Sequence, residues 1–226
     1  MAVKQKTRKP SSRAVKEEKL HHDLERFRQK ALEFGASAAE VIPASHVVVQ
    51  ERVWLKCLVP RCHMAGTSPY CPPNTPQPEF MRKVISQYRW AVLLKRDVRP
   101  LEDYVATSRA QQKEKPGLAI GKGFHTKTHE IVGRLEVYAQ TEGYDLAMGF
   151  ACGTCRINLC QGAPCSFIEK GECRFSQRAR PSMEGVGIDV FDLCNKVGWD
   201  AYMIRNIEPD LSVIPSAVSV GIVFIY

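Results

Sequence analysis

Long apolar runs and enzyme signatures are what this chain has least of. No stretch of about 18 consecutive apolar residues occurs among its 226, so no membrane-spanning helix is expected. The N-terminus, M-A-V-K-Q-K-T-R-K, carries no apolar secretory segment. No Ser-His-Asp arrangement, nucleotide-binding fingerprint or paired-carboxylate pattern stands out. Aromatic and basic residues are not interleaved as in RNA-recognition surfaces, and Lys and Arg outside the N-terminus are scattered. If the chain is an enzyme, its chemistry has to be carried by something it binds.

The formal charge of +8 is a poor guide to partners. Residues 1–19 hold seven Lys/Arg against Glu17 and Glu18, so +5 of the excess sits in a polar N-terminal tail. The expected organisation is a flexible basic tail over 1–19 and a single domain over 20–226. Hydrophobic content of 44% and charged content of 25% suit an ordinary globular core. Contact with nucleic acid through the tail is the lesser expectation, and a solubilising role the greater.

What the chain has in quantity is cysteine. Five fall between Cys152 and Cys173, in C-G-T-C-R-I-N-L-C-Q-G-A-P-C-S-F-I-E-K-G-E-C, spaced C-x2-C-x4-C-x4-C-x7-C. Three more, Cys57, Cys62 and Cys71, fall in C-L-V-P-R-C-H-M-A-G-T-S-P-Y-C-P-P-N, spaced C-x4-C-x8-C-P-P. Nine cysteines, an odd count with no secretory segment, predict a reducing, cytoplasmic setting where metal binding outranks disulfides. Proline and glycine around Cys57–Cys71 forbid a regular helix or central strand, so that stretch is a loop wrapped around something. A Cys-Pro pair also ends ferredoxin-type ligand runs. The candidate ligands are Cys57, Cys62, Cys71, Cys152, Cys155, Cys160, Cys165 and Cys173, with His63 a minor candidate. Cys194, on the apolar face of a later helix, is expected to be buried filler.

In chain order, apolar residues at spacings of three and four predict a helix from Leu20, Leu24, Phe27 and Ala31 to a stop at Gly35. His21 and His22 are adjacent and so point apart on it. His46–Lys56 reads as a strand. Gln77–Tyr88 reads as a helix with Phe80, Val84 and Ile85 on one side, and Arg89–Val98 as a strand. The Gly-containing stretch 105–123 reads as a mobile connection. Thr128–Glu142 is a helix with the stripe Ile131, Val132, Leu135 and Tyr138, and His125 and His129 read as a surface pair near its start. Tyr144–Ala151 is a short strand leading to Cys152. Pro181 opens a helix carrying Met183, Val186, Val190 and Leu193. Ala201–Arg205 and Ala217–Tyr226 read as strands, the last suited to a buried central position. The fold expected is α+β or α/β: a mixed sheet of about five strands, about four flanking helices, and both cysteine groups in loops at one edge.

The strand-C-x4-C-x8-C-P-P segment, G-Y-D-L-A-M-G, the cysteine cluster and C-R-F-S-Q-R-A-R-P-S-M-E-G-V-G-I-D-V together resemble one family. Its members are described as predicted metal-binding proteins, domain of unknown function 2284. R-P-S-M-E-x-x-G-I-D-V at Arg180–Val190 is the most specific part. The resemblance implies Cys57, Cys62, Cys71, Cys152, Cys155, Cys160 and Cys173 as ligands, and Cys165, within G-x-P-C, also fits. It implies no reaction.

Structural zinc usually takes four ligands as two C-x2-C knuckles, and only one such pair is present. Eight thiolates divide into two sets of four, as two 4Fe–4S clusters need. The expectation is one or two 4Fe–4S clusters and electron transfer, with a redox protein partner or a small-molecule substrate. The alternative is a zinc-stabilised binding module. A centre held by Cys57, Cys62 and Cys71 alone would leave one position open for substrate. A 4Fe–4S core of charge 2+ on four thiolates is net 2−, which Arg174, Arg178 and Arg180 are placed in the sequence to offset.

Overall fold

The computed structural model describes residues 17–98, 124–201 and 217–226. Its centre is a four-stranded sheet in the order β1-β2-β4-β3, every neighbour antiparallel. The strands are β1 Ala38–Pro43, β2 Trp90–Val98, β3 Met148–Phe150 and β4 Ala217–Phe224. The helices are α1 Glu17–Glu33, α2 Glu51–Leu55, α3 Pro78–Ile85, α4 Thr126–Thr141, α5 Cys155–Asn158, α6 Ser166–Lys170 and α7 Val190–Lys196. None of the described helices is long and apolar enough to cross a membrane.

Alternation along β2 explains the layers, since successive side chains point to opposite faces. Val92 and Leu94 pack with Val223 under α1 and α4, through Leu20, Leu24, Phe27 and Ala31 of the first and Ile131, Val132 and Leu135 of the second. Ala91 and Leu93 pack with Ile222 and Phe224 on the other face, against Met81 and Ile85 of α3 and Leu193 and Cys194 of α7. Each large apolar side chain buried this way contributes roughly 2 kcal/mol. Helix α4 lies so close over β3 and β4 that only glycine fits beneath it. A Cβ at Gly149 would stand 2.5 Å from Val132 Cγ1, and one at Gly221 2.6 Å from Val132 Cγ2.

Several local expectations change. His46–Lys56 is not a strand: a 3₁₀ turn at Ala44–His46 leads through a single bridge, Val49 to Ile188, into α2. Val47 and Val49 are buried, as alternation along a strand would have them, but β1 already occupies the sheet edge beside β2. That strand, A-A-E-V-I-P, lacks a β-rich signature and was not expected. On α3 the buried residues are Pro78, Met81 and Ile85, while Phe80 is exposed. The helix expected after Pro181 is broken: Ser182 bridges Ala151 in extended form, a 3₁₀ turn spans Glu184–Val186, and Gly187 at φ 87° precedes α7. Met183, Val186, Val190 and Leu193 are nonetheless all buried. Cys194 is core filler as expected. The described residues give four strands, not five; Ala201 is not in a strand and residues 202–205 lie outside the described residues, as does the stretch 105–123. Residues 17–19 of the expected tail belong to α1, and residues 1–16 lie outside the described residues.

Candidate metal centre

The loop that carries Cys57, Cys62 and Cys71 is folded by its own backbone. Cys62 N–H donates to Cys57 O at 3.0 Å, Ala65 N–H to Cys62 O at 2.9 Å, and Gly66 N–H reaches across to Pro72 O at 2.8 Å. Asn74 Nδ2 donates to Ser68 O at 2.9 Å. The C-P-P-N-T end is tied to the R-P-S-M-E segment by Thr75 Oγ1, which donates to Gly185 O at 2.6 Å.

The second loop starts one residue beyond the bridge between Ala151 and Ser182. Ala151 N–H donates to Pro181 O at 2.8 Å and Met183 N–H to Ala151 O at 3.0 Å. Thr154 caps α5 by accepting from Arg156 N–H. The chain then turns at Gln161 and Gly162, both with positive φ. Arg156 holds that turn through Ala163 O at 3.1 Å and Gly162 O at 3.3 Å. Arg174 donates to Pro164 O at 3.0 Å. Cys165 precedes α6 directly, and Phe175 N–H donates to Cys173 Sγ at 3.4 Å.

All nine cysteines are free thiols. Four of the eight gather around one space, a set that the sequence spacing does not single out. Cys155, Cys160, Cys165 and Cys173 line one cavity, walled also by Pro69, Tyr70, Leu159 and Phe175. Cys57 sits within electrostatic reach of Cys62, Glu184 and Cys71. Cys152 does not line the first cavity; it sits on the Glu184 side, with His125 Nε2 4.0 Å from its sulfur. The C-x2-C pair is therefore split, because Cys152 sits in a bend just past the bridge at Ala151 while Cys155 is already inside α5. Cys71 adds to the cost of ionising Cys155, so the first loop and this cavity are neighbours.

Burial pushes the Cys57 thiol up to about 11 and the Cys155 thiol up to about 12, with nearby thiols adding to both. Cys152 is raised further, again by burial. Cys160 is raised by burial but pulled back by a hydrogen bond from Arg174. These thiols gain most from a bound cation, which makes the thiolate form the stable one. Among the described residues no group of three or more His, Cys, Asp or Glu could hold a metal ion. One zinc ion at 2.3 Å from each sulfur would bring tetrahedral thiolates to about 3.8 Å apart. The donor chemistry of the four thiols around the cavity fits a sulfur-ligated centre.

The three arginines divide. Arg178 pairs with Glu130 at 3.2 Å and Arg180 with Glu136 at 2.6 Å; among the three, Arg174 is the one whose charge acts on a thiol, that of Cys160. Glu136 also accepts from Gly149 N–H at 2.5 Å, so it fastens the R-P-S-M-E segment to β3. Glu184, in the same segment, is desolvated and its carboxyl pKa is raised beside Cys57 and Cys152. The motif thus supplies a clamp at Arg180, an anchor for the first loop at Gly185 and a carboxyl at Glu184. Its conspicuous acid was the sequence signal for Glu184.

His125 and His129 are not a surface pair. His129 is 0% exposed, with neither ring nitrogen hydrogen-bonded among the described residues. Its pKa is lowered to about 4 by desolvation. Burial lowers His125 to about 3; its Nδ1 lies 2.8 Å from Ser219 Oγ and its Nε2 4.0 Å from Cys152 Sγ. Helical spacing put both on one face but could not say that the face meets the sheet. His63 is exposed. Ser68, Thr154 and Ser219 were not foreseen, since isolated hydroxyls carry no pattern.

No curated protein and no solved structure matches the chain. The sequence profile of one family, described as predicted metal-binding proteins (DUF2284), matches residues 40–225. That span takes in all eight cysteines of the two groups and the whole R-P-S-M-E segment, and the chain belongs to this family of predicted metal-binding proteins.

Proposed function

We propose that the chain holds two 4Fe–4S clusters and works in electron transfer. Cys155, Cys160, Cys165 and Cys173 hold one, and Cys57, Cys62, Cys71 and Cys152 hold the other. The observation that carries this reading is the shared cavity of Cys155, Cys160, Cys165 and Cys173. Four thiols around one space, not converged as a single ion requires, match the four-thiolate set of a cluster. Cys165 thus belongs with Cys155, and Cys152 completes the other set across Glu184. Bound there, such a cluster supplies one-electron transfer at a potential set by its surroundings.

The chain's own residues do the rest. The Arg174 charge beside the Cys160 sulfur and the Phe175 N–H donated to the Cys173 sulfur favour the more negative, reduced state. Tyr70, Leu159 and Phe175 exclude water from the same cavity. The partner is a redox protein or a small-molecule substrate. The test is the visible spectrum of protein purified without oxygen. A broad absorption shoulder that bleaches with dithionite is expected. A colourless protein that binds zinc, with RNA or DNA affinity falling steeply with salt, would replace this reading with that of a zinc-stabilised binding module.

A further inference from the structure

The imidazole of His125 is wedged between the C-G-T-C segment and the sheet. Its Nε2 stands 4.0 Å from Cys152 Sγ, the long limit of a hydrogen bond to sulfur. Its Cδ2, bonded to that nitrogen, is pressed on the next residue: a Cβ at Gly153 would stand 2.6 Å away. With φ at 65° as well, the segment needs its glycine where the histidine rests. On the far side Nδ1 lies 2.8 Å from Ser219 Oγ on β4, which lies 2.6 Å from Thr128 Oγ1 on α4. Both hydroxyl residues are 0% exposed. The backbone beneath the ring is fixed too. His125 N–H donates to Asn158 Oδ1 at 2.9 Å and Thr126 Oγ1 to Asn158 O at 2.6 Å, while Asn158 Nδ2 donates to Thr154 O at 2.9 Å. One ring edge is therefore held facing Cys152 and the other facing Ser219.

The hydrogens of this chain of contacts run in one of two orders. Passed from Thr128 to Ser219 to Nδ1, the hydroxyl hydrogens leave Nδ1 accepting, and the imidazole's own hydrogen then sits on Nε2, facing the sulfur. The reverse order leaves Nε2 bare, able only to accept from a thiol. A metal-bound thiolate has no hydrogen to give, so it selects the first order. We propose that His125 is a positioning residue for the centre of Cys57, Cys62, Cys71 and Cys152: it donates its Nε2–H to the Cys152 sulfur, and Ser219 and Thr128 hold it in that tautomer. This rests on the two-cluster reading. A hydrogen bond to a ligand sulfur stabilises the reduced, more negative state and raises the potential. The effect belongs to one centre, since Cys152 does not line the cavity of the other four thiols.

The experiment is a potentiometric titration followed by electron paramagnetic resonance on the full-length, cluster-loaded chain, with iron counted in each variant. Cys62→Ala and Cys165→Ala each remove one signal and so assign the two centres. His125→Asn keeps an amide for Ser219 but has nothing at the Nε2 position. It is expected to lower the potential of the centre assigned to Cys62, leave the other unmoved, and keep all the iron. His125→Gln extends its amide N–H toward the sulfur and should bring most of that shift back. Ser219→Ala, which leaves the histidine in place, should lower the same potential by less. No shift in His125→Asn and Ser219→Ala, shifts of equal size in both centres, or a shift that His125→Gln does not reverse would overturn the proposal. Loss of one centre's iron in His125→Asn but not in Ser219→Ala would also overturn it, and would make the histidine a ligand. A wild-type chain without iron and sulfide would overturn the two-cluster reading beneath it, and the role of His125 with it.

Discussion

Glu136→Gln is the most informative stability test, because one carboxylate holds two pieces of the site's frame. Its Oε1 receives Arg180 Nη2 at 2.6 Å, and its Oε2 receives Arg180 Nε at 2.9 Å and Gly149 N–H at 2.5 Å. The Arg180 and Glu136 side chains are only 14% and 11% exposed. Glutamine keeps the shape but removes the charge and turns an amide NH2 group toward donors. Breaking a buried pair by removing one partner costs about 3–5 kcal/mol. Arg180 retains Ser176 O at 3.0 Å and Ala179 O at 2.7 Å, so the lower end, about 3 kcal/mol, is expected. At a urea slope of about 2 kcal/mol/M that moves the midpoint down by about 1.5 M with the slope unchanged. The comparison is Glu130→Gln, whose pair with Arg178 is 30% and 43% exposed and is worth no more than about 1 kcal/mol. Equal losses in the two variants at matched metal content, or a loss in Glu136→Gln below about 1 kcal/mol, would refute this account of the clamp.

Further outcomes follow from the same geometry. His129, lowered to about 4 from an ordinary 6.5, resists protonation when folded but takes a proton readily when unfolded. Its contribution is therefore intact above pH 6.5 and lost as pH falls from 6.5 toward 4, by about 3 kcal/mol in all. Unfolding measured at stepwise lower pH should show that loss, and His129→Gln should flatten it; parallel curves would disprove the link. Gly149→Ala and Gly221→Ala force a Cβ against Val132, and each should cost roughly 1–3 kcal/mol in a denaturant melt. Cys194→Ala should leave metal content untouched, whereas Cys165→Ala should lose half of it. Equal metal in those two variants would take Cys165 out of the ligand set.

The sequence spoke most plainly where periodicity met burial on a single face, or on both. The stripe Leu20, Leu24, Phe27, Ala31 and the continuous run at the C-terminus became α1 and β4 because nothing tertiary competes with them. The stretch His46–Lys56 misled, since valine burial is common to a strand and to a loop pressed on a core, and only the filled sheet edge separates them. Spacing located the eight cysteines but grouped them by proximity in the chain. Cys155, and not Cys152, lines the cavity with Cys160, Cys165 and Cys173, because the chain bends between the two, which C-x2-C cannot reveal. Arg180, Glu184 and Gly185 were visible as a motif, while their separate duties depend on contacts with Glu136, Cys57 and Thr75 from distant segments.

The central claim, two four-thiolate clusters on eight named cysteines, is tested most directly by counting metal. Protein purified without oxygen should contain about eight iron and eight sulfide per chain, as two four-iron clusters require, and no stoichiometric zinc. Zinc at one or two per chain, without sulfide, would contradict it.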